Sequence, residues 1–305
     1  MTAKSYHLDE NVTRTAHQLF RSLLAMKRIH VLVILCGMLN PPPLFAQTGL
    51  SGDPSAIKFG TLTGRFLYDG IPPKSVSASR FDTIDLNTPL SRDPTGRVSG
   101  VELAYREYLQ RGMRPRTLDD SLLVGKDRGV ANVLLFVTSV DIPIPAMKPS
   151  GEKPTVLHIR DGQFMPRVMA VTVDHMLEIK NADAVSFGFH LQMVRNAPVN
   201  VQVAANSTKQ FVFSNPEKLP LPFRSDQQIW ATGFLFVHDN PYFAVSSPQG
   251  TFTISNLPPG EWEFRAWHEK AGYLKAWPMG RFNFEITAGT NDLGDVQLSA
   301  DLFHE

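Results

Sequence analysis

Residues 225–245 read SDQQIWATGFLFVHDNPYFAV. Within them, 229–238 form a strand-like run carrying Trp230, Gly233 and Phe234, which Asn240-Pro241 ends as a turn before Tyr242, Phe243 and Ala244. Around the start of that run stand Ser225, Gln228 and Ala231, which offer a hydroxyl, an amide and a methyl group. None of these is a thiolate or an imidazole. The stretch therefore reads as framework, a strand and a turn, before it reads as chemistry.

Working outward, the same strand-and-turn pattern continues. GTLTGRFLYDG (60–70) places Leu62, Phe66 and Tyr68 at even spacings and ends at Asp69-Gly70, with Pro72-Pro73 beyond. Residues 74–100 lack periodicity and read as loop. VELAYREYLQRG (101–112) is the one helix candidate, with Val101, Tyr105, Tyr108 and Leu109 on a face and Gly112 suited to its C-cap. VLLFV (133–137) is continuously apolar, as a strand buried on both faces would be. Residues 142–154 carry Pro143, Pro145, Pro149 and Pro154 and mark a candidate boundary. Strands then follow over 155–181, with Asp161-Gly162 as a hairpin turn, and over 206–214, 229–238 and 250–254. Two late alternating strands carry Trp262, Phe264 and Ala266, then Phe282, Phe284 and Ile286.

Residues 1–46 read as a secretory leader. Lys27 and Arg28 precede the apolar HVLVILCGM (30–38), and Pro41-Pro42-Pro43 then LFAQ lead to a cut after Ala46. The apolar run is shorter than the roughly 20 residues a spanning helix needs, and Met26 is a candidate start. Cleavage would remove Cys36, the single cysteine, leaving neither a disulfide nor a thiolate ligand. Of the 30 basic and 29 acidic residues, five and two fall in 1–46, so 25 and 27 remain beyond it. That balance gives no electrostatic drive toward nucleic acid or an anionic membrane, and no membrane span is expected in the mature chain.

Residues 155–245 resemble secreted bacterial cupredoxin-like proteins of the methylamine-utilization type. In that family a Cys-Asp-Ile-His-Pro-Trp-Met run leads into a Gly-aromatic strand and an Asn-Pro-Tyr-Phe-Ala turn. Here Trp230, Gly233, Phe234 and Asn240 to Ala244 stand in register. FMPRVMAV matches the family's Phe-x-Pro-His-Val strand through Phe164, Pro166, Val168 and Val171, and KNADAVSFGFH matches its loop through Asn181, Asp183 and Val185. The resemblance implies a copper site, yet its ligand positions fall on Phe187, Ser225, Gln228 and Ala231. The upstream Cys and His fall on Gly162 and Arg167, and the loop His-Asn pair on Phe187 and Gly188. A type 1 site requires a thiolate and two imidazoles, so these are lost ligand positions and no cofactor is expected. His190, Met193 and His175 are the remaining metal candidates, and they keep open an alternative copper-binding or electron-transfer role.

Residues 246–300 resemble the carboxypeptidase-regulatory and transthyretin-like β-sandwich modules, and also the second domain of rhamnogalacturonan lyases. The matching residues are Gly250, Phe252, Ile254, Leu257, Pro258 and Gly260. The expected organisation is a 47–56 linker, a 57–141 N-terminal β region with one helix, the 155–245 domain and the 246–300 segment. The opening strand is a candidate partner for that last segment. The fold class is all-β, a cupredoxin-like Greek-key sandwich with an adjoining transthyretin- or carbohydrate-binding-like β-sandwich. The two resemblances together imply an exported, periplasmic or extracellular, non-catalytic binding protein, whose partner is a polysaccharide or a cell-envelope protein. A lyase-like accessory role is the other alternative. Trp267, Tyr273 and Trp277, within a set that includes Trp230 and Trp262, form the candidate carbohydrate platform. His268-Glu269 is a candidate acid/base pair, and no nucleophile triad is apparent around Ser225.

Overall fold

The computed structural model describes residues 58–73, 84–117, 119–144 and 153–303. The leader, the 47–56 linker and residues 145–152 of the proline-rich stretch lie outside the described residues. Those described are all-β apart from one α-helix and two short 3₁₀ turns. In chain order they form β1 (Gly60–Asp69), α1 (Gly100–Gln110), β2 (Leu134–Val137), β3 (Thr155–Arg160), β4 (Gln163–Met165) and β5 (Val168–Thr172). Next come β6 (Met176–Asn181), β7 (Phe187–Leu191), β8 (Val199–Val203), β9 (Thr208–Val212), β10 (Leu221–Arg224) and β11 (Thr232–His238). The last are β12 (Phe243–Val245), β13 (Thr251–Leu257), β14 (Gly260–His268), β15 (Gly272–Tyr273), β16 (Arg281–Ile286) and β17 (Gly289–Ser299).

These strands make four sheets. The first has the order β4-β3-β6-β9 and the second β5-β11-β10-β7-β8. The third is β12-β2-β14-β15 with β16 paired to β14, and the fourth is β13-β1-β17. Three apolar clusters join them in sequence. Leu157, Ile159, Leu177 and Ile179 of the first sheet meet Met169, Val171, Leu235 and Val237 of the second, with Tyr105 and Tyr108 of α1 buried in the same cluster. Leu135, Val137, Phe264 and Ala266 of the third meet Leu62, Phe66, Phe252 and Ile254 of the fourth. Between these lies a third cluster, where Val168, Ala170 and Phe236 meet Leu134, Phe136 and Trp267.

Alternation explains the layering, because successive residues of a strand point to opposite faces. In β11, Leu235 and Val237 serve the first cluster while Phe236 serves the third. In β2, Leu135 and Val137 serve the second while Leu134 and Phe136 serve the third. All four residues of β2 are buried, matching the continuous apolar run. Residues 225–245 carry the chain from the second sheet, through β11, to the third, through β12. Asn240 Oδ1 accepts the Tyr242 N–H at 3.0 Å, and the Tyr242 hydroxyl donates to Pro143 O at 2.8 Å.

β1 pairs antiparallel with β13 and parallel with β17, so the chain's first described strand sits in one sheet with strands near its end. The Asp161-Gly162 turn has φ of 52° and 71° and joins Arg160 to Gln163, a tight hairpin of the kind positive φ permits. Gly112, at φ 72°, donates to Leu109 O at 3.0 Å just past α1. Six strands escaped the sequence reading: β7, β8, β10, β12, β15 and β17. Pro222 lies inside β10, where β7 pairs only at Phe223 and Arg224, so the missing N–H faces no partner strand. Among the described residues, no helix is long and apolar enough to cross a membrane.

Phe236 touches Phe136 across the middle cluster with ring centroids 4.6 Å apart. Phe236→Ala is expected to destabilise the protein by about 3–5 kcal/mol, read as a lower urea midpoint. A loss comparable to that of an exposed-site control such as Val194→Ala would contradict the layering.

Candidate functional site

β10 delivers Ser225 to a tight loop at one end of the second sheet. Ser225 N–H donates to Ala231 O at 3.2 Å, and Ala231 N–H donates to Gln228 O at 2.8 Å. The Ser225 hydroxyl donates to Gln228 Oε1 at 2.5 Å and accepts the Gln228 N–H at 3.1 Å. Gln228 Nε2 reaches Ser186 O at 3.4 Å. A Cβ on neighbouring Gly188 would meet Ser225 Oγ at 2.9 Å, so the backbone of β7 closes directly over the pair. Ser225, Gln228, Ala231 and Phe187 are all buried. Ser225, Gln228 and Ala231 are thus tied together within one loop as a plug, while the Phe187 ring meets Phe164, with centroids 5.2 Å apart.

Trp230 anchors this loop from beneath. Its Nε1–H donates to Gly162 O at 3.0 Å, and the rings of Tyr105 and Tyr108 meet it edge-on at 5.7 and 6.5 Å. Asp183 fastens the same region. Its carboxylate accepts the Tyr108 hydroxyl at 2.8 Å and the N–H groups of Asp161 and Gly162 at 2.9 and 2.8 Å. Burial and the Asp183 charge push the Tyr108 hydroxyl far above its ordinary range, so it remains a donor. Sequence reading matched Asp183 to a family motif without showing this role, since Tyr108 is 75 positions away.

The residues present do not fit a type 1 copper centre. A neutral hydroxyl and amide, already bonded to each other, stand where a thiolate and an imidazole would be needed, and Phe187 and Ala231 offer no donor atom. The three other candidates have separate engagements. His190 Nδ1 lies 2.9 Å from Asp226 Oδ2, and this hydrogen bond holds the Asp226 carboxyl below its usual range. Met193 is buried in the first cluster. His175 Nε2 accepts the Thr155 N–H at 3.2 Å. Among the described residues, no group of three or more His, Cys, Asp or Glu side chains is placed to hold a metal ion.

The aromatic candidates are spread over two clusters. Trp267 is buried in the middle cluster against Phe234, with centroids 5.0 Å apart. Tyr273 borders that cluster beneath the Arg265 guanidinium, which sits 3.2 Å from its ring centroid. Trp277 belongs to the other side of the third sheet, where it stacks on Phe282 at 4.2 Å. Trp262 shares that cluster and donates to Pro258 O at 2.8 Å. Both are half-buried.

His268 and Glu269 also part company. Glu269 receives Arg167 in a two-pronged contact, Nε at 2.5 Å and Nη2 at 2.7 Å, with both side chains largely buried. Burial still raises the Glu269 carboxyl, against the lowering by Arg167. His268 turns to the ring of Phe303, 5.1 Å away, and its Nε2 is buried without a hydrogen-bond partner among the described residues. The Arg167–Glu269 pair joins the second sheet to the third, and its 102-residue separation left no local signal in the sequence.

No protein-family model matches the chain, and no curated protein matches it. Among solved structures it is similar to a copper-containing nitrite reductase from Thermus scotoductus SA-01, at 14% identity and a TM-score of 0.26, over 28% of this chain and 22% of that one. It is similar to a copper(I) amicyanin variant at 14% identity and a TM-score of 0.26, over 34% of this chain and 98% of that one. A purple cupredoxin from Nitrosopumilus maritimus gives 15% identity and a TM-score of 0.24, over 27% of this chain and 98% of that one. The match thus spans less than a quarter of the nitrite reductase's length.

Burial pushes the His268 imidazole down to about 4 from an ordinary 6.5, with a smaller opposing pull from the Ala131 backbone. The unfolded chain therefore binds a proton at higher pH than the folded one. The His268 contribution is complete above about pH 6.5 and is lost as pH falls toward 4. In stability measurements from pH 7 to 4.5, His268→Gln should show a flatter decline than the parent chain; parallel curves would contradict this.

Proposed function

We propose that the chain is an exported, non-catalytic binding protein in which a cupredoxin-like sandwich works without metal beside a carbohydrate-binding-like sandwich. The observation that carries this reading is the Ser225–Gln228 plug. The Ser225 hydroxyl bonds to Gln228 Oε1 and N–H while Gln228 Nε2 reaches Ser186 O, all inside a buried loop, which supports a packing role. The leader-like pattern of residues 27–46 supports export. The separation of His268 from Glu269, each tied to a different partner, supports the non-catalytic part of this reading. The partner class is a polysaccharide or a cell-envelope protein, and a lyase-like accessory role would share the first of these.

Copper analysis tests the metal-free part. Purified protein equilibrated with Cu(I) or Cu(II) is expected to retain no stoichiometric copper after desalting, and His190→Ala should behave identically. Stoichiometric copper that disappears in His190→Ala would establish instead an electron-transfer or copper-carrying protein with unorthodox ligands.

A further inference from the structure

The outer face of the fourth sheet carries a polar array that the copper-like loop does not explain. Register aligns Thr253, Thr63 and Asp292 in one row across β13, β1 and β17, and Thr251, Arg65 and Asp295 in the next. Between the rows β1 supplies one residue, Gly64, where β17 supplies two, Leu293 and Gly294. Gly294, at φ 76°, makes that bulge possible, and Asp292 Oδ1 caps it by accepting the Gly294 N–H at 3.0 Å. Gly64 points inward, where a Cβ would meet the Phe252 ring at 2.7 Å. The result is a shallow cleft of about 380 Å³, lined by the six polar side chains of the two rows.

Part of the lining is held in place and part is unsatisfied. Arg65 is held by Nε to Gln249 O at 3.0 Å and by Nη2 to Asp127 O at 2.9 Å. Asp295, opposite it, and Thr253, at the other rim, show no side-chain hydrogen bond to the described residues and are exposed. Two carboxylates against one guanidinium leave the cleft with an excess of negative charge, which repels anionic ligands. Carboxylates accept hydroxyl protons strongly, while threonine hydroxyls both give and receive hydrogen bonds. The shallow shape suits a segment of an extended chain.

We infer that this cleft binds a neutral, polyhydroxylated ligand, a segment of an uncharged polysaccharide, through Asp292, Asp295, Thr63 and Thr253. The inference rests on the polysaccharide-binding reading above and places it on the fourth sheet, away from Trp267, Tyr273 and Trp277.

Affinity electrophoresis of the full chain in gels containing hydroxyethylcellulose, galactomannan or xyloglucan, with polygalacturonate as the anionic counterpart, tests it. At least one neutral polymer should retard the protein and polygalacturonate should not, with EDTA making no difference. Asp295→Asn should weaken the retardation about tenfold, the loss expected for a hydrogen bond involving a charged group, and Thr253→Val about threefold, as for a neutral one, both at unchanged melting temperature. Retardation that survives both substitutions, or that is lost only in Trp277→Ala, overturns the cleft and leaves the polysaccharide reading standing. Retardation abolished by EDTA overturns it in favour of a cation site. Retardation by none of the neutral polymers overturns both readings.

Discussion

The contact between Phe136 and Phe236 sits at the seam on which the rest of the molecule depends. It belongs to a cluster that leaves the second and third sheets with no solvent face over β5, β11, β2 and part of β14. Strands in that position must be apolar on both sides, and polar groups at the seam must be paired. The molecule meets both conditions. His238 places Nε2 2.9 Å from Val137 O while its ring stacks on Phe236, and burial lowers its proton affinity. Arg167 and Glu269 face each other across the same seam.

That constraint decides where binding is physically available. With β5, β11, β2 and part of β14 covered on both sides, the solvent faces belong to the first and fourth sheets, to the outer strands of the second and third, where β8, β10 and β16 expose every other residue, and to the loop ends. The loop end that resembles a copper site is closed by Ser225 and Gln228 and braced by Trp230, Tyr105, Tyr108 and Asp183. The fourth sheet, in contrast, presents threonine hydroxyls, carboxylates and one guanidinium to water. The positions that resemble a catalytic or metal site are bonded to neighbouring groups within the fold, and the fourth sheet leaves Asp295 and Thr253 exposed.

Much of the frame was legible because its signals are local. The run Val133 to Val137 states double burial by itself, and Asp161-Gly162 and Gly112 state a hairpin and a helix end by the positive φ they accept. Tyr105 and Tyr108 were readable as one helical face for the same reason. What stayed hidden depends on the identity of a distant partner. Alternation places Trp267 on one side of β14 but does not say that another sheet covers that side. Arg167 looked like a lost histidine, and only the fold reveals Glu269 opposite it. The Thr253–Thr63–Asp292 row joins three strands that are far apart in the chain, and no spacing in the sequence announces it.

The central claim is that the two sandwiches are one cooperative block joined at the middle cluster. Native-state hydrogen exchange in increasing sub-denaturing guanidinium measures this directly, because amides that open together share one free energy and one denaturant slope. The slowest amides of β3 and β6, in the first sheet, and of β13 and β14, in the fourth and third, should merge onto a single global isotherm. Two separate isotherms, with β3 and β6 opening independently of β13 and β14, would contradict the account.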